Sequence, residues 1–295
     1  MKKLRKYVKG IAPYGYVMPI SLILLTFVVA SLVISVIFSF TKYNLLISPE
    51  WDGIENYIRM FTDEKMHMAL FNTLKITLMV VPLQVILSVI FANLIAARKN
   101  SFAGKVAKAA IFIPVISSSA VVGTVWKTML NGRNPVIQAP LSLFGIDTAM
   151  LLGSSTTAII AIAMIMVWKS FGYFLVLNLA ALSAIPDSCY EAAKVDGGGL
   201  IQRFRYITLP LLKPTIIMDV FLSVTMSLQS FDLIYTMTGG GPSNSTLTLV
   251  MYAYNLTFKN GKAGYAMAVS NVLFLLVLVI LLLQRGFMKR EASEI

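Results

Sequence analysis

Between Lys9 and Lys42 the chain reads GIAPYGYVMPISLILLTFVVASLVISVIFSFT, without a single charged side chain. A bilayer core takes about 20 apolar residues of helix, and only a helix satisfies its own backbone groups once water is gone. The run exceeds that length, so the chain belongs in a membrane. Three more uncharged stretches repeat the pattern, between Lys75 and Arg98, between Lys108 and Lys127, and between Lys262 and Arg285. The stretch from Thr148 to Pro186 is broken only by Lys169 and is too long for one crossing. Its polar run Gly153, Ser154, Ser155, Thr156, Thr157 marks the helix start, and the span ends near Ala184. From Lys213 to Met237 an apolar segment of spanning length carries Asp219 and Asp232 and is stopped by Gly239, Gly240, Gly241 and Pro242. The expectation is an all-α integral membrane protein with six transmembrane helices.

Composition agrees. Of 295 residues 57% are hydrophobic and only 13% charged, against about 25% charged in a soluble domain, and the mean hydropathy is +0.78. One cysteine, Cys189, excludes an internal disulfide framework, and with His67 as the one histidine no Cys/His metal site is built from one copy. The net charge of +12 does not point to nucleic acid, because the basic residues fall between apolar stretches and not along a solvent-facing stripe. The lipid bilayer is the partner this composition implies.

Six crossings put both termini on one side. Lys2, Lys3, Arg5, Lys6 and Lys9, then Arg98, Lys99, Lys105 and Lys108, then Lys194, Arg203, Arg205 and Lys213, and finally Arg285, Lys289 and Arg290 fall on that side. Only Lys42, Arg59, Lys65, Arg133, Lys259 and Lys262 fall on the other, so the termini are expected to be cytoplasmic. The first apolar run is longer than a signal core and is read as retained. Thr246 to Phe258 is too short to cross and, with Tyr252, Tyr254 and Asn255, is expected at the interface, as are Tyr43, Trp51 and Tyr57. No internal repeat or interrupted helix is evident.

No phosphate-cradling GxxxxGK[ST] loop, HExxH or GxSxG occurs, so no enzyme activity is expected. The distinctive segment is the loop at 185–212, which begins Ile185-Pro186-Asp187-Ser188-Cys189-Tyr190-Glu191-Ala192-Ala193-Lys194-Val195-Asp196-Gly197-Gly198-Gly199. Pro186 and Asp187 start a helix, the glycines break it, and a second short helix runs to Pro210, which ends it. A helix-turn-helix of this kind, rich in charge and small residues, suits a groove in another protein.

Glu191-Ala192-Ala193, Gly197 and Ile207-Thr208-Leu209-Pro210 resemble, in order and spacing, the cytoplasmic signature of permease subunits of binding-protein-dependent ABC importers. Gly198 departs from that pattern, where Ala is commoner, and is expected to loosen the turn. Phe231-Asp232-Leu233-Ile234-Tyr235 with Thr238-Gly239-Gly240-Gly241-Pro242 and Thr246 resembles the carbohydrate-uptake branch, of the maltose or glycerol-3-phosphate first-permease type. Phe112-Ile113-Pro114 with Trp126, and Gly264-Tyr265-Ala266, extend the likeness from about Pro13 to Gln284.

The resemblance implies a single permease domain over 1–295, holding half of a path for a mono- or oligosaccharide. It implies a coupling helix between spans four and five, with Glu191, Ala192, Ala193, Asp196, Gly197, Leu209 and Pro210 at the ATPase contact. It further implies a second homologous permease as heterodimer partner, two ATPase subunits that use the ATP, an extracytoplasmic substrate-binding protein, and no cofactor on this chain. A gradient-driven secondary transporter and a membrane-embedded signalling subunit are the rival classes, and ATP-dependent uptake separates the first reading from both.

The candidate substrate path is Lys169, Tyr173, Ser223, Ser227, Phe231 and Asp232. Asp219, Ser223, Ser227 and Phe231 recur every four residues and so share a helix face, which is expected to be buried. At 1.5 Å per residue Lys169 lies roughly 22 Å from the cytoplasmic end of its span, Asp219 roughly 9 Å and Asp232 roughly 28 Å. Two readings of Lys169 stand, an ion pair with Asp232 or contact with an anionic sugar. Lys75 and Lys127 are read as snorkelling, and Trp126 and Trp168 as packing residues or as sugar platforms.

Overall fold

A computed structural model describes residues 14, 16–96, 101–130, 135–143, 145 and 148–292. Pro13 and the basic residues Lys2, Lys3, Arg5, Lys6, Lys9, Arg98, Lys99 and Arg133 lie outside them, as do the side chains of Lys289 and Arg290. The protein is mostly helical. Among the described residues, five helices are long and apolar enough to cross a membrane: α1 (Tyr16–Phe38), α3 (Glu64–Ala96), α8 (Ser155–Ser183), α10 (Leu200–Leu228) and α13 (Ala263–Ala292, apolar to Met288). A bent pair, α4 (Phe102–Ile116) and α5 (Ser119–Met129), makes a sixth if counted as one span. Shorter helices are α2 (Glu55–Met60), α6 (Pro135–Ser142), α7 (Thr148–Gly153), α9 (Asp187–Val195), α11 (Asp232–Thr238) and α12 (Leu249–Phe258).

Three spans differ from the sequence reading. The helix expected from Lys75 starts at Glu64, so Lys75 stands inside α3, its ammonium 4.5 Å from the Phe71 ring centroid. The span expected at 108–127 bends by 100° where Ser117 and Ser118 are extended. Pro114, one turn before the bend, removes a helix donor. The segment read as one helix to Met237 breaks at Gln229–Phe231, so Phe231 and Asp232 are not on the helix of Asp219. Hydropathy averages over such breaks because the breaking residues are few.

The chain divides into two compact units, one ending at Asp63 and joined by Ala253–Val272, the other holding Glu64–Tyr252 and the residues from Leu273. In the first, two short antiparallel strands, β1 (Thr41–Lys42) and β2 (Glu50–Trp51), pair Thr41 with Trp51 and Lys42 with Glu50. The Asn56 side-chain amide donates to the carbonyls of Ser39 and Thr41 at 2.9 and 3.0 Å, and the Phe40 ring packs on Trp51 and Tyr57. The Gly264 N–H donates to the Tyr43 carbonyl at 3.0 Å, an approach a side chain at 264 would block because its Cβ would strike the Thr41 carbonyl. Ser35 donates to Asn271 at 3.2 Å, tying α1 to the start of α13.

In the second unit α3 and α8 pack along their length, α10 packs on α3, and α5 packs on α11. An apolar cluster of Val89, Ala92, Leu175, Leu182 and Leu212 joins the three long helices at one end. Asn72 holds the 239–248 loop by donating to the carbonyls of Asn244 and Leu247, at 2.8 and 3.1 Å. Helix α12 is too short to cross, and Tyr252 is buried in protein, not spread on an interface.

Candidate functional site

Above the apolar cluster the three long helices turn polar towards one another. Asp219, Ser223 and Ser227 on α10 recur every four residues and are 0, 1 and 3% exposed. Ser223 Oγ donates to Gln84 Oε1 on α3 at 3.1 Å, and Asn178 Nδ2 on α8 donates to Asp219 Oδ2 at 2.6 Å and lies 3.2 Å from Ser88 Oγ. Asp219 is therefore held by an amide, away from Lys169.

Where α10 ends, a cavity of about 200 Å³ opens, lined by Gln84 and Val80 of α3, Ser119 at the start of α5, Met166, Lys169 and Ser170 of α8, Ser223, Met226 and Ser227 of α10, and the break residues Gln229 to Leu233. Five of the six candidate path residues meet here: Lys169, Ser223, Ser227, Phe231 and Asp232. Tyr173 does not line it; its ring packs edge-on against Phe174 at 5.2 Å. Lys169 is half-buried and Asp232 exposed where they border the cavity, and no ion pair joins them. Trp126 and Trp168 pack edge to face at 5.6 Å and do not line the cavity.

The Glu191 segment is an exposed helix, α9, tied to α10 where Tyr190 Oη meets Thr208 Oγ1 at 3.0 Å. Its end is a Schellman turn: Gly197 has φ +79°, its N–H bonds the Lys194 carbonyl at 3.1 Å, and the Gly198 N–H bonds the Ala193 carbonyl at 2.7 Å. A Cβ at Gly198 would lie 2.7 Å from that carbonyl oxygen, so glycine here tightens the turn and does not loosen it. The helix expected to end at Pro210 instead runs on as α10. A π turn, Phe204–Thr208, widens the helix just before the proline, making room where its ring would meet the preceding carbonyls. Glu191, Ala192, Asp196, Gly197, Leu209 and Pro210 are exposed, and Ala193 is half-buried.

Residues 68–292 match the family described as the binding-protein-dependent transport system inner membrane component. The chain belongs to this family. The permease is 32% identical over 280 residues to the multiple sugar-binding transport system permease protein MsmF of Streptococcus mutans, covering 90% of this chain and 94% of that one. To the trehalose/maltose transport system permease protein MalF of Thermococcus litoralis it is 31% identical over 290 residues, 97% of each chain. Among solved structures, a bacterial ABC transporter that imports the acidic polysaccharide alginate superposes with a TM-score of 0.81 at 22% identity, covering 98% of this permease and 99% of that chain. That likeness shows the shared fold. The relatives are transport permeases, not enzymes.

Sequence reasoning missed Gln84, Ser88, Ser119, Ser170, Asn178, Gln229 and Ser230. Polar residues at helical spacing inside otherwise uncharged runs were a signal, but a scan for charges passes over amides and hydroxyls.

Proposed function

We propose that this permease forms half of the path of an ATP-driven sugar importer. The observation that carries the reading is the polar cavity at the break between α10 and α11, inside a chain whose relatives are named for sugar transport. In this reading the chain crosses the cell membrane six times as a single domain, with the bent α4–α5 pair as one crossing and both termini cytoplasmic. It pairs with a second homologous permease, and an extracytoplasmic binding protein delivers the sugar. The 185–212 loop seats on one of two ATPase subunits through Glu191, Ala192, Ala193, Asp196, Gly197, Leu209 and Pro210. The chain binds no cofactor; ATP is used by the ATPases.

Alternating access then has a physical basis. ATP-driven closure of the ATPases moves α9, and the Tyr190–Thr208 contact carries the motion into α10, whose far end borders the cavity. A ligand biases such a two-state system only by differential affinity, so the loaded binding protein must favour the outward state. Helix breaks beside the cavity also suit gradient-driven transporters, so the test is energetic. Vesicles holding the permease and its partners should accumulate labelled sugar only with internal ATP. Uptake sustained by an ion gradient without the ATPases would overturn the proposal.

A further inference from the structure

We propose that Asp219 carries a resident proton and meets Asn178 as a neutral acid, the two side chains forming a reciprocal acid–amide pair that joins α8 to α10 as one body. The inference rests on α8 and α10 being membrane spans and is independent of what the permease transports.

Donors are too few at this contact. Asn178 Nδ2 has two hydrogens and three acceptors within reach: Asp219 Oδ2 at 2.6 Å, the Phe174 carbonyl at 2.9 Å and Ser88 Oγ at 3.2 Å. Ser88 sends its own hydrogen to the Val85 carbonyl at 2.9 Å. Two oxygens are left over, Asn178 Oδ1 and Asp219 Oδ1, both buried and both without a hydrogen-bond partner. Buried polar atoms rarely stay so. The Phe174 carbonyl fixes which way the amide points, because turning it over would set two acceptor oxygens against each other.

The two orphaned oxygens belong to the two groups already bonded, and one proton satisfies both. Placed on Asp219 Oδ1, it makes an O–H that donates to Asn178 Oδ1, while Asn178 Nδ2 goes on donating to Asp219 Oδ2, now the carbonyl oxygen of the acid. An ionised carboxylate has no hydrogen to give and leaves both oxygens empty. A bridging water would donate to both, yet would leave a full charge inside the spans.

Among the described residues no cation balances such a charge. Of the two long helices packed on α10, α3 has no charged residue between Lys75 and its end at Ala96, and Lys75 is 13 residues from Ser88, about 20 Å along the axis. On α8 the one charged residue is Lys169, nine residues from Asn178, about 14 Å. On α10 itself Lys213 is exposed, and six residues of helix carry it to another face. Asp219, Asn178 and Ser88 have no exposed surface, so a side chain of a partner subunit does not reach them. A carboxylate buried alone is costly enough to take up a proton instead.

The pair lies between the two working ends of α10. Thr208, which meets Tyr190 of α9, is 11 residues away and Ser227, at the cavity, is eight, about 16 and 12 Å. Held by two hydrogen bonds and bearing no charge, the contact makes the α8 wall follow the helix that receives the motion of α9.

Infrared spectroscopy of the assembled importer in lipid nanodiscs at neutral pH tests this, because exposed carboxyl groups are ionised there and a protonated one shows its own carbonyl stretch. The difference between the unaltered protein and Asp219→Asn should contain one such band, and Asn178→Leu should move it to higher frequency as the acid loses its partner. Asp219→Asn keeps the shape, the neutrality and both bonds, its new amide donating where the acid O–H did, and should transport and unfold much as the unaltered protein does. Asp219→Leu leaves the amide unpaired and should unfold at a lower temperature. Loss of a carboxylate band in place of a neutral one, or an Asp219→Asn protein that no longer assembles, overturns the proposal. A neutral band that Asn178→Leu does not move overturns the reciprocal pair. Neither readout involves the solute, so failure of the sugar reading would leave the spectra unchanged.

Discussion

Asn178 Nδ2 donates to Asp219 Oδ2 across 2.6 Å, joining α8 to α10 through two side chains with no exposed surface. The same amide donates to its own helix at the Phe174 carbonyl, 2.9 Å away. The bond fixes two spans beside the cavity, one turn below Ser223, and explains why a carboxyl is tolerated inside an apolar helix. Asn178→Leu removes the donor and strands the carboxyl, at a cost of about 2–3 kcal/mol. Adding Asp219→Leu removes the stranded group and should restore most of that loss. Thermal unfolding of the purified protein in detergent reads both; an unchanged midpoint in Asn178→Leu would show that the bond contributes nothing.

The pair also shows what was legible in the sequence. Long uncharged runs revealed the membrane class because hydropathy is local and each span states it independently. The short helix and turn at 187–198 were legible because their proline, charges and glycines are punctuation whose effect is also local, and Gly197 takes the left-handed turn, whereas 200–212, read as loop, opens α10. Partnership between spans was not legible. Distance along α10, counted from Lys213, separated Asp219 from Lys169 but gave no sign of Asn178, because the helix begins at Leu200 and its rotation is set by packing on α3 and α8. The breaks at Ser117–Ser118 and Gln229–Phe231 were hidden in the same way, since two polar residues in each barely alter the mean of a spanning window.

At the α5–α11 contact, a Cβ on Gly123 would strike Thr236 Oγ1 and lie 3.0 Å from the Leu233 carbonyl. The second obstacle is backbone and cannot rotate away. Gly123→Ala should therefore cost about 1–3 kcal/mol through overpacking, whereas Gly286→Ala, in open space on α13, should be neutral or slightly stabilising. Comparing the two unfolding midpoints controls for helix propensity, and equal midpoints would remove Gly123 as a packing requirement.

Outside the spans, Lys42 Nζ lies 2.9 Å from Asp52 Oδ1, and this hydrogen bond, helped by the charge of Asp52, raises the lysine above its ordinary pKa. A raised lysine pKa means that the contribution is fully present below the unfolded value and is lost as pH rises through the folded one. The contact should be constant from pH 6 to 9 and fade only in strong alkali. Acylation of Lys42 followed by mass spectrometry between pH 8 and 11 should be slower than in Asp52→Asn. Equal rates in the two proteins would mean that Asp52 does not hold the ammonium in solution.

Gly197 has φ +79° and no atom within 4 Å of the position a Cβ would occupy. A side chain there is opposed by backbone strain of roughly 1–2 kcal/mol, too little to unfold a protein of this size, and would project away from the chain. Gly197→Leu should therefore reach the membrane in normal amount yet lose ATP-dependent uptake by obstructing the ATPase contact. Gly197→Asn, which tolerates the left-handed region, should lose less. Normal uptake by Gly197→Leu would show that this turn does not touch the ATPase.

Ser223 and Ser227 are nearly without exposure, but both border the cavity, so on the proposed path water should reach their wall by that route. A cysteine at either position should react with a small hydrophilic maleimide or methanethiosulfonate and resist a lipid-phase reagent. Cys189, half-exposed in α9, must first be replaced by serine so that it does not report in their place. Met226, between them on α10, also lines the cavity, whereas Thr225 turns its hydroxyl to the Phe221 carbonyl at 2.9 Å and does not. Thr225→Cys is therefore the control, and should react more slowly with the hydrophilic reagent than Ser227→Cys. Transported sugar added during labelling should protect the cysteine at 227 and leave that at 225 unchanged. Labelling of Ser223→Cys and Ser227→Cys by the lipid-phase reagent alone would turn this face of α10 towards the bilayer and remove the cavity from the path.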